Sequence, residues 1–401
     1  VGWETSRNVR TNLSWRPRLA SWFDTDFAMD TDYGTNRNVS YIQDLDGDTT
    51  LVRDLSMQRD LGFQFEVRPD QFLSVLGVPG GPEVTGMARS LRAFWDRLAP
   101  IRIDWRRAVN STYDRRNLAP SLWDQLVLTG FNTMRVMGAD TASAAGDTRS
   151  WAVEGGYLFP MGLDFDISYS ASDRLTITPL SERRVEDSEW PSLGLRWRTV
   201  PIPGLLDGIL RDINLTGRWR TRSTNTSTTT GQDRGSEQTV RSVGLVFILR
   251  SGFNITYDFD NTASERLDAT GLSQTDRASH SVRLSGFLPP PGFIPFVKND
   301  VRIAFDYSNS GNSDCRALGG SGFGEVDQTF RDDCTTHTDQ TTQNAAFSLD
   351  TDFTGYSLGI QLSWVQRASG VGRQQASSQF NFNIFGRFFF RASEGQTQFT
   401  R

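Results

Sequence analysis

The feature that most constrains this chain is an alternation of apolar and polar residues along almost its whole length. Between residues 23 and 33, Phe23, Phe27, Met29 and Tyr33 take odd positions, and carboxylates take most of the even ones. Successive side chains of a β-strand point to opposite faces, so a period of two predicts strands with one apolar and one polar face. About 15 segments carry this pattern, which predicts an all-β protein.

The length of these segments favours a membrane barrel over a soluble sheet. Many keep the pattern over about 9 to 13 residues, whereas strands of soluble sheets average about five or six. A tilted strand of about ten residues rises about 25 Å, the height of the apolar band of an outer-membrane barrel. Aromatic residues also stand at segment ends: Trp15, Trp22, Tyr33, Trp190, Tyr307 and Trp364. We predict an antiparallel transmembrane β-barrel of about 14–16 strands in the outer membrane of a Gram-negative, diderm bacterium.

The connections between the segments alternate in length. Short ones (17–20, 159–162, 250–252, 354–355) alternate with long polar ones (34–54, 173–187, 223–235, 263–273, 309–340). Bacterial barrels have short periplasmic turns and longer exterior loops. We therefore predict a barrel over residues 1–391 with its long exterior loop at 309–340, followed by a polar tail at 392–401. Helical insertions are expected on the periplasmic side near residues 70–99, where apolar residues recur at spacings of three and four, and near 201–211.

The strand count raises a question of parity. Fifteen strands would put the two ends of the barrel on opposite rims, whereas a self-contained barrel has an even number of strands. Two explanations are open. A strand has been missed over residues 125–136, or upstream strands of a longer polypeptide complete the barrel.

Composition excludes several other classes of protein. The chain has 42 basic and 47 acidic side chains, so its net charge of −5 offers no attraction to nucleic acid. No run approaches the roughly 18 apolar residues of a membrane-spanning helix. With 27 Phe, 11 Trp and 8 Tyr, the chain also lacks the composition of a disordered protein.

The polar face of the predicted strands is strongly charged. We expect these side chains to face the lumen: Asp24, Asp26, Asp30, Asp32, Asp164, Asp166, Arg218, Arg220, Arg222, Asp258 and Asp260. Arginines on one wall opposed by aspartates on others would set a transverse field that favours zwitterionic or extended polymeric cargo. The alternative is that cross-strand ion pairs satisfy these charges within the wall.

Few residues suggest a metal or a disulfide. Asp44, Asp46 and Asp48 form a weak candidate for calcium, because the Gly of an EF-hand loop would come two positions later and Leu55 stands where its Glu would be. A solvated acidic turn is the alternative. Cys315 and Cys334 lie 19 residues apart in a polar segment, which predicts one disulfide.

Catalytic patterns are scarce. His280 and His337 are the only histidines, and the glycine-rich run at 319–324 has neither a nucleophile elbow nor a phosphate-loop Lys. No His/Cys cluster has zinc spacing. We therefore predict no enzyme activity and no cofactor.

Three parts of the sequence resemble a known family: residues 8–33 (NVRTNLSWRPRLASWFDTDFAMDTDY), the run Glu189-Trp190-Pro191-Ser192 followed by Leu-Gly-Leu-Arg-Trp, and the closing aromatic strand. They are similar to the C-terminal part of the SprA/Sov cell-surface family, the very large outer-membrane translocon of type IX secretion in Bacteroidota and their relatives. The resemblance implies passage of folded proteins through a wide, lateral-opening pore. It also implies that upstream strands or other secretion-system subunits are partners.

The functional prediction is an outer-membrane channel, part of a protein-secretion translocon, that passes polypeptide or large solute. Outer-membrane lipid is an expected partner and nucleic acid is not. The alternatives are a structural or adhesive surface barrel with a filled lumen and partner-binding loops, a simple porin, and, less favoured, a barrel enzyme.

Overall fold

The computed structural model describes residues 5–43, 49–75, 87–116, 118–198, 200–202, 204, 206–231, 233–268, 271–290, 299–318, 335–353, 356–370 and 375–388. Its strands are β1 (Ser6–Trp15), β2 (Arg18–Ala20), β3 (Phe23–Gln43), β4 (Thr49–Val67), β5 (Ile101–Arg116), β6 (Val136–Met137), β7 (Asp140–Thr141), β8 (Ala144–Phe159), β9 (Leu163–Ile177), β10 (Glu182–Trp197), β11 (Leu210–Thr228), β12 (Arg234–Leu249), β13 (Asn254–Asp268), β14 (Gly271–Leu288), β15 (Val301–Leu318), β16 (Thr335–Phe353), β17 (Tyr356–Ser369) and β18 (Gln375–Phe388). Its helices are α1 (Pro69–Val75), α2 (Met87–Trp95), α3 (Leu122–Gln125) and α4 (Phe131–Arg135), with a 3-10 turn at Pro160–Gly162. None of the helices in this part of the chain is long and apolar enough to span a membrane.

One antiparallel sheet contains all the long strands. The order is β1-β3-β4-β5-β8-β9-β10-β11-β12-β13-β14-β15-β16-β17-β18, with β2 paired to β3 and with β6 and β7 forming a separate small hairpin. Every neighbour on this path is also the next long strand along the chain, so the sheet is a continuous meander. Within the described ranges, β1 and β18 do not pair with each other. The prediction of an all-β, antiparallel fold is confirmed.

The strands extend well into the segments that the sequence assigns to long loops. Residues 34–43 and 49–54 belong to β3 and β4, and residues 309–318 and 335–340 belong to β15 and β16. Polar residues occupy both faces there, so the alternation that identifies a strand is lost although the ladder of hydrogen bonds continues. The predicted loop bounds were therefore wrong, and hairpins project from the long-connection rim instead.

A folded segment, residues 118–143, covers part of the apolar face near this rim. We call it the cap segment; it contains α3, α4, β6 and β7. Its Val127 and Met134 pack without solvent exposure against Tyr113 of β5, whose hydroxyl donates to the Met134 carbonyl at 2.9 Å. The possible extra strand over residues 125–136 is wrong, because α3 ends at Gln125, residues 126–130 form no strand, and α4 follows at Phe131–Arg135.

The opposite rim carries the short turns and the first predicted helical insertion. α1 and α2 connect β4 to β5, and Phe72 of α1 contacts Trp22 with ring centroids 4.8 Å apart. The second insertion, near 201–211, has no full helix among its described residues. Residues 206–209 form a turn in which the Leu210 amide donates to the Leu206 carbonyl at 2.8 Å, and β11 begins at Leu210.

Candidate functional site on the polar face of the sheet

Residues directly opposite each other in antiparallel strands have side chains on the same face of the sheet. We call a series of such opposite residues across neighbouring strands a row. One row runs from Asp24 of β3 through Glu66, Arg102 and Glu154 to Ser168 of β9. Ser168 shares its face with Asp164 and Asp166 because these residues alternate along one strand. The register thus connects β3 to β9 on one face.

A second row extends this face to β13. Asp166 of β9 lies opposite Gly194, which lies opposite Arg218 of β11. Arg218 lies opposite Ser242, which lies opposite Asp260 of β13. All eleven residues predicted to face the lumen therefore lie on one face, which we call the polar face. Whether this face encloses a lumen stays a prediction.

The arginines of β11 lie between two pairs of carboxylates on the polar face. Asp164 and Asp166 stand two strands to one side of them, and Asp258 and Asp260 stand two strands to the other. Two strand spacings are about 10 Å. Among the described residues, Arg218 forms no ion pair. Arg218 is therefore available to an aqueous ligand, whereas Asp164 forms an ion pair with Arg198 at 3.6 Å.

Other charges of the polar face are paired within the wall. Asp24, Asp26 and Asp32 of β3 form ion pairs with arginines at 2.8, 2.7 and 2.7 Å, from Arg68, Arg16 and Arg10 respectively. Arg222 forms a two-pronged ion pair with Asp187, and its Nε lies 2.8 Å from the carboxylate. Cross-strand pairing thus accounts for part of the predicted set.

The polar face also contains two neighbouring depressions. One, of about 400 Å³, lies over β8 and β9 and is lined by Asp104, Arg106, Asp187, Glu189 and Arg222 around short side chains. The other, of about 450 Å³, lies over β4 and β5 and shares Asp104, Arg106 and Ser150 with the first.

The opposite face of the sheet carries mainly apolar and aromatic side chains in the middle of its strands. Trp105 of β5 contacts Phe63 of β4 and Trp151 of β8, with ring centroids 5.3 and 6.1 Å apart. Many of its large side chains are at least about a third exposed among the described residues: Trp151, Tyr169, Trp190, Trp219, Val243, Phe305, Ile360, Phe380, Phe382 and Ile384. We call this side the apolar face.

A charged cluster on the apolar face was missed by the sequence reasoning. Asp147 of β8 is only 5% exposed and accepts hydrogen bonds from Arg107 and Arg149. Arg59 lies nearby under the cap segment, where its Nη1 donates to the carbonyls of Val127 and Thr129 at 3.2 and 3.0 Å. A signal was present, because these four charges occupy apolar-phase positions of their strands.

The remaining candidates lie partly outside the described residues. Asp44, Asp46, Asp48 and Cys334 all do, as does the tail at 392–401. In the part that the structure describes, no group of His, Cys, Asp and Glu could hold a metal ion. Cys315 lies in β15, and its disulfide with Cys334 stays a prediction. His280 lies on the apolar face, where its Nδ1 is 3.0 Å from the Tyr257 hydroxyl.

These features define a two-faced antiparallel sheet, with one charged, polar face and one apolar, aromatic face. No family model matches the chain, and no curated protein matches it. Among solved structures, the FpvAI–pyocin S2 complex aligns with 97% of this chain at 7% sequence identity and a TM-score of 0.32. The aligned part is 61% of that neighbour's chain.

Proposed function

We propose that this chain forms the wall of an outer-membrane β-barrel channel, with the polar face lining a passage for polypeptide or large solute and the apolar face against lipid. The observation that carries the proposal is the register, which collects the eleven charged residues on one face and the exposed aromatic residues on the other. In a bilayer, only a sheet whose backbone is fully paired and whose outer face is apolar is stable.

The exposed rings of the apolar face support contact with lipid. Trp151 and Trp219 are 49% and 44% exposed. Exposed rings in such number are unfavourable in water, and burial of apolar area in hydrocarbon stabilises the protein by about 25 cal/mol per Å².

The strand count supports further strands as partners. The path holds an odd number of strands, so β1 and β18 run parallel to each other. Closing the sheet with antiparallel pairs needs an odd number of additional strands. Upstream strands of the same polypeptide or another secretion-system subunit would supply them, in keeping with the resemblance to the SprA/Sov family and with a role in protein secretion.

Single-channel recording tests the proposal. The purified protein, together with its upstream polypeptide where one exists, is inserted into planar bilayers. Discrete conductance steps are the expected result. Correctly inserted protein that leaves the bilayer sealed would contradict the channel.

A second candidate is a structural or adhesive surface barrel with a filled lumen. The ion pairs that Asp24, Asp26 and Asp32 form within the wall favour it, because such pairs satisfy charge without water. It predicts no conductance, and loss of partner binding when residues 309–340 are deleted.

A further inference from the structure

The depression over β8 and β9 has a floor of short side chains and walls of charged side chains. Its floor consists of the short side chains Ser150, Ala152, Ser170 and Ser172, which lie opposite one another across the two strands. No long side chain of these four positions fills the space. The floor therefore stays open to a ligand while still offering hydroxyl donors and acceptors.

Two rows of residues cross this depression. In one row, Arg106 of β5 and Asp187 of β10 flank Ser150 and Ser172. In the neighbouring row, Asp104 of β5 and Glu189 of β10 flank Ala152 and Ser170. The two walls are three strand spacings apart, about 14 Å, which matches an extended polypeptide with its side chains.

The walls present unpaired charges of both signs. Asp187 is held by Arg222 and by the Thr224 hydroxyl, which donates at 2.9 Å. By contrast, Asp104, Arg106 and Glu189 form no ion pair or side-chain hydrogen bond to another described residue. Glu189 lies opposite Arg222 but forms no ion pair with it. One guanidinium and two carboxylates are therefore available to a ligand that carries both charges.

We propose that this depression, the β8–β9 slot, is a binding site for an extended polypeptide segment with charges of both signs. Arg106 binds a carboxylate of the segment, Asp104 and Glu189 bind its basic side chains, and the serines of the floor hydrogen-bond to its backbone. The inference rests on the proposed function. The slot would define the substrate class of the passage and would be a binding site for the substrate within it.

Peptide binding to the protein in detergent tests the slot without reference to conduction. The probe is a short, fluorescein-labelled peptide in which Lys and Glu alternate, compared with Gly–Ser, all-Lys and all-Glu peptides of the same length. Fluorescence anisotropy gives the Kd. We expect the alternating peptide to bind at least about tenfold more tightly than each of the others.

Variants localise the binding. Arg106→Gln removes the free guanidinium, and Ser170→Trp fills the floor; each is expected to weaken binding about tenfold or more. Arg277→Gln and Ser281→Trp make matched changes on β14 of the same face and should leave Kd unchanged. Heat-modifiable migration in gels identifies variants that have folded, and Arg106→Gln adds no bulk.

Two outcomes overturn the slot: equal binding of the all-Lys or Gly–Ser peptide, or equal losses in the slot and control variants. A protein that conducts ions but fails these measurements refutes only the slot. A protein that binds the alternating peptide but never conducts refutes the channel.

Discussion

Arg107 and Asp147 form a two-pronged ion pair on the apolar face of the sheet. Nε and Nη2 of Arg107 donate to the two carboxylate oxygens at 2.9 and 2.8 Å, and Asp147 also accepts from Arg149 at 2.9 Å. Because Asp147 is almost fully buried, two guanidiniums depend on one desolvated carboxylate. This ion pair joins β5 to β8 beside the cap segment.

Asp147→Ala is therefore expected to lower the free energy of unfolding by about 3 kcal/mol, because it leaves Arg107 partly buried without a counter-charge. Chemical unfolding in detergent micelles measures the change. Asp306→Ala is the matched control, since the Arg283–Asp306 pair on the polar face is largely exposed and contributes less than about 1 kcal/mol. Equal losses at the two positions would contradict the role of burial.

Arg59 holds the cap segment, since it donates to the carbonyls of Val127 and Thr129 from beneath. Arg59→Met should free these carbonyls and raise the rate of proteolytic cleavage within residues 118–143 about tenfold. Limited proteolysis with mass spectrometry measures the rate. Arg16→Met, which breaks an exposed ion pair near the other rim, should leave cleavage of the cap segment unchanged.

The arginines of β11 should set the ion selectivity of a channel. Replacing both Arg218 and Arg220 with Glu exchanges positive for negative charge on the polar face, so the reversal potential should shift toward cations. Measurements in a salt gradient give the shift. Arg241→Glu on neighbouring β12 is the control, because Arg241 lies opposite Trp219 on the apolar face. A shift of the same size in Arg241→Glu would contradict the assignment of faces.

Two consecutive residues of β8 test which face meets lipid. Trp151→Arg should destabilise the folded protein in phospholipid vesicles by about 2–4 kcal/mol, because it places a charge in hydrocarbon. Ser150→Arg points to the polar face and should have an effect below about 1 kcal/mol. Urea titration of tryptophan fluorescence compares them. The assignment is wrong if Ser150→Arg is the more damaging change.

Mass spectrometry tests the predicted disulfide between Cys315 and Cys334 directly. Intact mass after alkylation should be unchanged without reductant, and it should increase by two alkyl groups after reduction. Cys315→Ser should bind one alkyl group under both conditions. Alkylation of both cysteines in the untreated protein would rule the bond out.

The two-faced character of the strands was predictable because period two is a local property of the sequence. Asp24 and Asp26, for example, needed only their neighbours Phe23 and Phe27 to be assigned to a polar face. Strand ends were not predictable in this way. Residues 309–316 have no apolar alternation, and pairing with β14 and β16 keeps them extended.

The cap segment was missed for a related reason. Val127, Phe131 and Met134 follow no strand period, and their burial depends on apolar residues of β4 and β5 that are distant in sequence. The β8–β9 slot could not be predicted from the sequence either, because Asp104 and Glu189 lie in one row only through three steps of strand register.

The sequence by itself therefore determined the fold class, the phase of each strand and the identity of the charged face, because these follow from side-chain alternation between adjacent residues. The tertiary structure alone decided which charges are neutralised, which stay free, and where the apolar face is covered by protein. Those outcomes depend on register and on contacts between distant strands, where a shift of one residue would exchange the two faces.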